Sequence, residues 1–368
     1  MGAIKKENIK RVVVRGTNWV GDAVMTVPAL RELRQVLPDA HITLVTRPSA
    51  SELFVGADFL DEMMPYDRRG LSSLFSQIGA WRRRQFDLAV IFQNAFEAAL
   101  IPALARVPSR IGYAIEGRRL LLTHALPLPE WRSSRHEVFY YLNIVQELEA
   151  ELEGTPTSVL QEPDTALPNL EARRAEGLEL LRSFGVQGAR PVVALCPGSV
   201  NSRAKRWPAE RYAALADLLV DSLQAEVLLI GSADELDVSL EVISKMQNRP
   251  VLLTGKTNLS QAVAILSVVD LLVTNDTGPA HIAPALGRPT LVIFGPTNPL
   301  TTRPFSPVAE IIRHPPDCAP CMLRDCPIDH RCMTAISPEE VFEHARSLLS
   351  GRPQQQPNGS AWPTGAVA

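Results

Sequence analysis

The sequence predicts an α/β protein made of two doubly wound, Rossmann-like domains facing a central cleft, and three observations predict it. The chain has 368 residues, too many for one ordinary core, so two domains are expected. Short β-branched apolar runs alternate with stretches of helical spacing, the pattern of parallel sheets covered on both faces. That alternation occurs twice, on either side of a polar, proline-bearing segment.

In the first half the strand-like runs are 11–16 (RVVVRG), 41–46 (HITLVT), 62–67 (EMMPYD) and 87–94 (DLAVIFQN). Between them Ala23, Val27, Leu30, Leu33 and Leu37 recur at helical spacing, as do Leu71, Leu74, Phe75 and Ile78, and a third helix spans 95–106. Pro28 must kink the first of these or mark a later first turn. The polar segment 151–167 reads as the linker, and a helix over 168–184 leads into the second half. There the strands are 191–196 (PVVALC), 225–231 (AEVLLIG), 250–254 (PVLLT), 271–274 (LLVT) and 289–294 (PTLVIF). Ser337-Pro338-Glu339-Glu340 opens a last helix in a capping pattern, with Gly351 as its stop. The expected organisation is a first domain over 1–160, a second over 161–336, a closing helix over 337–351 free to fold back onto the first domain, and a disordered tail over 352–368.

With 46% hydrophobic and 21% charged residues, the composition is that of a globular protein. No apolar run reaches the ~20 residues of a membrane-spanning helix, and MGAIKKENIKRVVV lacks the features of a secretory signal. A cytoplasmic protein is the expectation. Net charge is −3, unevenly shared: residues 1–150 hold 19 Lys/Arg against 16 Asp/Glu, and the rest 18 against 24. The mildly basic first half, with Arg68-Arg69, Arg82-Arg83-Arg84, Arg118-Arg119 and Arg132 near Arg135, suits an anionic partner but is no nucleic-acid footprint.

Four loops carry chemistry. Gly16-Thr17-Asn18-Trp19-Val20-Gly21-Asp22 follows the first strand, where an open α/β sheet binds ligands. Asp22 there is either a helix N-cap or a catalytic carboxylate. The second domain opens with Cys196-Pro197-Gly198-Ser199, then Lys205 before Trp207-Pro208, an arrangement suited to an anion. Asn275-Asp276-Thr277-Gly278-Pro279-Ala280-His281 follows an apolar strand and opens a small-residue helix over 278–286. The N–H groups and dipole of that helix favour a diphosphate. Gly295-Pro296-Thr297 adds another turn at the same sheet edge. Rival motifs fail: no G-x-G-x-x-G follows the first strand, and Gly255-Lys256-Thr257 lacks the first glycine of a P-loop, since position 250 is Pro. Of five cysteines, Cys318, Cys321, Cys326 and Cys332 crowd into one segment. Their C-x2-C-x4-C-x5-C spacing admits a structural zinc. The second pair is not C-x2-C, however, and four prolines restrict the loop, so reduced thiols are the expectation.

These loops, in this order, resemble the ADP-heptose:lipopolysaccharide heptosyltransferases, inverting enzymes of the GT-B fold. The resemblance spans residues 11–350. Gly21-Asp22 with TVPALRELR downstream, KRWP at 205–208, NDTGPAH at 275–281 and FGPT at 294–297 carry it. Trp19–Asp22 and CAPCMLRDCPIDHRC look most like the branch that adds the second core heptose. The resemblance implies Asp22 as catalytic base, with Lys205, Asp276, Thr277 and Gly278 on the donor diphosphate and His281 in the same motif. Ser199 joins the donor loops, and Glu235, ahead of Asp234, is the candidate for the ribose. Acceptor contacts are expected in the first domain, with Gly21, Arg68, Arg110 and Arg118 as candidates. The implied donor is ADP-heptose and the implied acceptor a lipid A-core sugar, met at the cytoplasmic face of the inner membrane, with no cofactor or metal required. A plain Asp with a pKa near ~3.9 is a weak base, so cleft closure or burial of the acceptor must help it. Another member with a different acceptor, a sugar-nucleotide binder without turnover, and an epimerase remain as alternatives.

Overall fold

The structure is a computed structural model that describes residues 5–66, 70–154 and 162–351. The first half contains β1 (Arg11–Arg15), α1 (Val20–Met25), α2 (Val27–Val36), β2 (His41–Thr46), α3 (Pro48–Ser51), β3 (Glu62–Pro65), α4 (Leu71–Arg84), β4 (Leu88–Ile91), α5 (Phe96–Leu104), β5 (Ser109–Tyr113), β6 (His124–Leu126) and α6 (Glu137–Glu153). The second contains α7 (Leu170–Ser183), β7 (Val192–Cys196), α8 (Ala209–Leu223), β8 (Glu226–Leu229), α9 (Leu236–Lys245), β9 (Val251–Leu252), α10 (Leu259–Leu266), β10 (Leu271–Asn275), α11 (Gly278–Ala285), β11 (Thr290–Ile293), α12 (Pro299–Thr302), β12 (Ala309–Ile312), α13 (Arg331–Thr334) and α14 (Pro338–Leu349).

Each half folds into a six-stranded sheet, ordered β3-β2-β1-β4-β5-β6 and, read the same way, β9-β8-β7-β10-β11-β12. Every strand pair is parallel. This is the expected pair of Rossmann-like domains, and it places a topological switch point between β1 and β4 in one sheet and between β7 and β10 in the other. Central strands are apolar on both faces because helices cover both: Val12, Val13 and Val14 are fully buried, as are Val193, Ala194 and Leu195.

Local chemistry explains several boundaries. The stretch with helical spacing after β1 is two helices, broken at Thr26. Pro28 lies in the first turn of α2, where its missing N–H does not matter. Asn258 and Gln261 form a reciprocal capping box on α10. Ser337 accepts the Glu340 N–H at the start of α14, and Gly351 takes φ +69° just past its end.

Four expectations change. β5, β6 and β12 are strands that the sequence patterns did not mark. α6 runs to Glu153, so regular structure enters the segment assigned to the linker from residue 151. α14 does not return to the first domain: Val341, Phe342 and Ala345 join Trp207 and Tyr212 in the second domain's core. Asp22 does not cap its helix, since Trp19 holds the N-cap position of α1. The expected disordered tail from Arg352 lies outside the described residues, as do 155–161 and Arg68.

The halves are docked against each other. Arg173 Nη2 donates to the Leu53 carbonyl (2.9 Å). The Phe305 ring lies 4.9 Å from that of His136 and 5.7 Å from that of Phe139.

Candidate active site

Two helix starts meet in the cleft. α1 begins just after β1 and α11 just after β10, so both point from the carboxyl edge of their sheets towards the other domain. Glycine is what lets them meet. A Cβ on Gly21 would stand 2.9 Å from His281 Cδ2, and one on Gly278 would stand 3.3 Å from Val20 Cγ1. Gly21, expected at the acceptor, is thereby a contact between the domains.

Asp22, in the first turn of α1, is half-buried. Burial pushes its carboxyl up to about 7, with Glu137 pushing further the same way and Lys205 and Arg132 opposing. A carboxyl with a pKa near neutral accepts protons far better than a solvated one. The surroundings of Asp22 thus act in the direction that a base would need.

Across the cleft, Lys205 Nζ lies 2.8 Å from Asp276 Oδ2 and donates to the Asp276 carbonyl (3.1 Å). Thr297 Oγ1 donates to the same Oδ2 (2.7 Å). Asp276, an acceptor only, is thus turned towards Lys205 and Thr297, and its visible work is to aim the ammonium. Thr277 is the N-cap residue of α11, yet its side chain makes no capping bond. The positive end of the helix is left to a ligand. His281 is buried, and burial lowers its ring to about 4, so it is neutral at pH 7.

Ser199 and Glu235, the further donor candidates, lie in the loops after β7 and β8. Ser199 is buried and its carbonyl accepts from Arg206 Nη2 (2.9 Å) and Nε (3.2 Å). Glu235 is buried at the end of β8, whereas Asp234 is exposed. Glu235 Oε2 accepts from the Ser232 N–H and hydroxyl, both at 2.8 Å. Its Oε1 lies where a Cβ on Gly198 would be, only 2.2 Å away. Glycine at 198 is what admits this carboxylate beside the turn after β7.

Asn275 latches the loops together. Its Nδ2 donates to the carbonyls of Pro197 (2.8 Å) and Gly198 (3.1 Å). Its Oδ1 accepts from the Trp207 N–H (3.0 Å) and the Tyr212 hydroxyl (3.1 Å). The cysteine segment braces the Lys205 loop from behind. The Arg324 carbonyl accepts from the Ala204 N–H (2.9 Å) and the Ser202 hydroxyl (3.2 Å), and His330 Nε2 donates to the Ala204 carbonyl (2.6 Å). Cys318, Cys321, Cys326 and Cys332 are free thiols lining one small cavity. Burial raises the Cys332 thiol to about 11, helped by its three neighbours. Among the described residues, no group of three or more His, Cys, Asp or Glu side chains is arranged to hold a metal ion.

Two acceptor candidates are placed elsewhere. Arg118 is fully buried: its Nε donates to the Tyr113 carbonyl (2.8 Å), its Nη1 to Gln93 O and its Nη2 to Asn94 Oδ1 (3.3 Å). Arg110 Nε and Nη1 donate to the carbonyls of Leu121 (2.6 Å) and Val107 (2.5 Å). Both guanidiniums serve the chain's own carbonyls and hold the loops around β5. The sequence missed Glu137, and it marked Arg132 only as part of a basic cluster; the two form an ion pair at the start of α6 whose charges both act on Asp22. The available signal was an acidic residue in the first turn of a long amphipathic helix, five residues after an arginine.

Comparison with known proteins gives concordant results. The family model of glycosyltransferase family 9 (heptosyltransferase) matches residues 75–331. Lipopolysaccharide heptosyltransferase 2 of Salmonella typhimurium is 30% identical over 355 residues, covering 92% of this chain and 99% of that one. The corresponding Escherichia coli protein is 28% identical, with 92% and 98% covered. The solved structure of E. coli ADP-heptose LPS heptosyltransferase II superposes with a TM-score of 0.78 at 27% identity, covering 93% of this chain and 99% of that one.

Proposed function

The chain belongs to glycosyltransferase family 9, the heptosyltransferases, and from that premise we propose that it adds the second heptose of the lipopolysaccharide inner core. It is a glycosyltransferase with the GT-B arrangement, acting in heptose transfer from ADP-heptose to the lipopolysaccharide inner core. The finer reading is transfer of L-glycero-D-manno-heptose onto heptosyl-Kdo-lipid A, with inversion, at the cytoplasmic face of the inner membrane. What supports it is the likeness to heptosyltransferase 2 proteins over nearly the whole chain.

The observation that carries the mechanism is the raised Asp22 carboxyl facing Lys205 and the start of α11 across one cleft. The donor's diphosphate lies against Lys205, Thr277 and the Gly278 backbone, with Asp276 and Thr297 fixing the ammonium, Ser199 closing the same loop cluster and Glu235 on the ribose. The acceptor hydroxyl points at Asp22. As its oxygen bonds to the anomeric carbon, its proton passes to the Asp22 carboxylate and the bond from that carbon to the β-phosphate oxygen breaks. Negative charge grows on the departing ADP, where Lys205 and the helix dipole stabilise it. These groups supply the positive charge that the leaving group needs, so the transfer requires no cofactor.

The test is Asp22→Asn with ADP-heptose and acceptor, read as ADP release. The expected result is a fall in kcat of about 10²–10⁴-fold, with the KM for ADP-heptose little changed. A rate close to wild type removes Asp22 from the base role.

A further inference from the structure

We propose that the outward face of α4 and α5, with the turn 119–121 beside them, docks the enzyme on an anionic lipid bilayer. The inward sides of these helices are ordinary core: Leu74, Ile78, Trp81, Ala98 and Ile101 pack on Val13, Val45, Ala89 and Ile91 of the sheet. Their outward sides carry large apolar residues among Ser72, Ser76 and arginines. Leu71 and Phe75, one turn apart on α4, are 69% and 67% exposed, and Leu120 is 94% exposed. Phe96 and Leu104, at the two ends of α5, are also exposed. Arg82 Nη2 donates to the Leu104 carbonyl (2.7 Å) and ties the two helices side by side.

A surface helix normally turns polar residues to water, so a face with five large exposed apolar side chains needs an occupant. The charge around it says which. Arg82, Arg83, Arg106 and Arg119 are exposed at its margins. α4 has no acidic residue, and Glu97 of α5 accepts the Tyr66 hydroxyl, leaving Glu116 as the exposed acid of the neighbouring turn. Apolar residues to enter the acyl boundary and arginines to meet anionic headgroups are the composition of an interfacial membrane anchor. Its placement suits the reaction. α4 follows β3 and α5 follows β4, so Leu71, Phe75 and Phe96 lie at the same carboxyl edge of the sheet as Asp22. A lipid-anchored acceptor held in that surface has its sugars beside the cleft. The inference rests on the reading that the acceptor carries a lipid.

The test is flotation of the full chain with vesicles of phosphatidylethanolamine and phosphatidylglycerol, against phosphatidylcholine alone, for wild type and for the double variant Leu71→Ser/Phe75→Ser. Both side chains are exposed, so the variant keeps its core. Wild type is expected to float with the anionic vesicles at low salt and to be released by salt. The variant is expected to bind at least about tenfold more weakly, since two large apolar side chains no longer leave water. In parallel, kcat/KM of the variant should match wild type on a delipidated, water-soluble acceptor and fall about tenfold on the vesicle-embedded one. Wild type that does not float with anionic vesicles, or a variant that floats and turns over embedded acceptor like wild type, overturns the proposal. Flotation without turnover of either acceptor would instead overturn the reading of the reaction and leave the surface standing.

Discussion

At the residue scale the account turns on one carboxyl. As the proposed base, Asp22 must be unprotonated to take the acceptor's proton, and burial raises its carboxyl to about 7. The acid limb of kcat/KM should therefore fall as pH drops through about 7, rather than near the ~4 of a solvated aspartate. Because the Glu137 charge raises Asp22, Glu137→Gln should move that limb to lower pH. A limb that stays in place in Glu137→Gln assigns it to another group. Asp22 was legible in the sequence as a position, since it follows a glycine at the end of the first strand. Its altered basicity was not, because the charges that act on it come from α6 and from the other domain, more than 100 residues away in the chain. The fate of Arg110 and Arg118 was hidden for another reason, since their partners lie within 25 residues in the chain. Basic residues in a cluster look alike in sequence, and only the fold shows that these two guanidiniums face the chain's own carbonyls.

At the scale of elements, the contact between α1 and α11 sets how the two halves of the site face each other. Gly21→Ala puts a methyl 2.9 Å from the His281 ring, which must shift or force the helices apart. A misplacement of this size is expected to lower kcat/KM by about 10²-fold, with thermal stability changed by far less than the rate. Kinetics like those of wild type would mean that the helices approach more loosely than the geometry indicates. The central strands were legible because helices cover both of their faces and make them continuously apolar. β5, β6 and β12 escaped for the opposite reason. Ser109-Arg110-Ile111-Gly112-Tyr113 and His124-Ala125-Leu126 lie towards one rim of their sheet and β12 forms the edge of the other, where partial burial removes the apolar signature. The cysteine segment is a related case. Its spacing did not reveal that its hydrogen bonds to Ser202 and Ala204 brace the loop that carries Lys205.

At the scale of the whole molecule, two sheets of the same strand order bring their switch points to one cleft. The proposed base and the proposed donor loops thus arise in different domains and meet only when these dock. The first domain's mild positive balance, seen in the sequence as arginine clusters, divides in the structure. Arg118 supports the interior, Arg132 joins the active cluster, and Arg82, Arg83 and Arg119 stay at the surface beside exposed apolar side chains. Among the described residues no helix is long and apolar enough to cross a membrane. The most direct test of the central claim is ADP release by the purified protein from ADP-heptose, in excess chelator, with Kdo-lipid A and heptosyl-Kdo-lipid A compared as acceptors. The account predicts release with the heptosylated acceptor and none with the unheptosylated one. Release with Kdo-lipid A alone, or with neither, would contradict it.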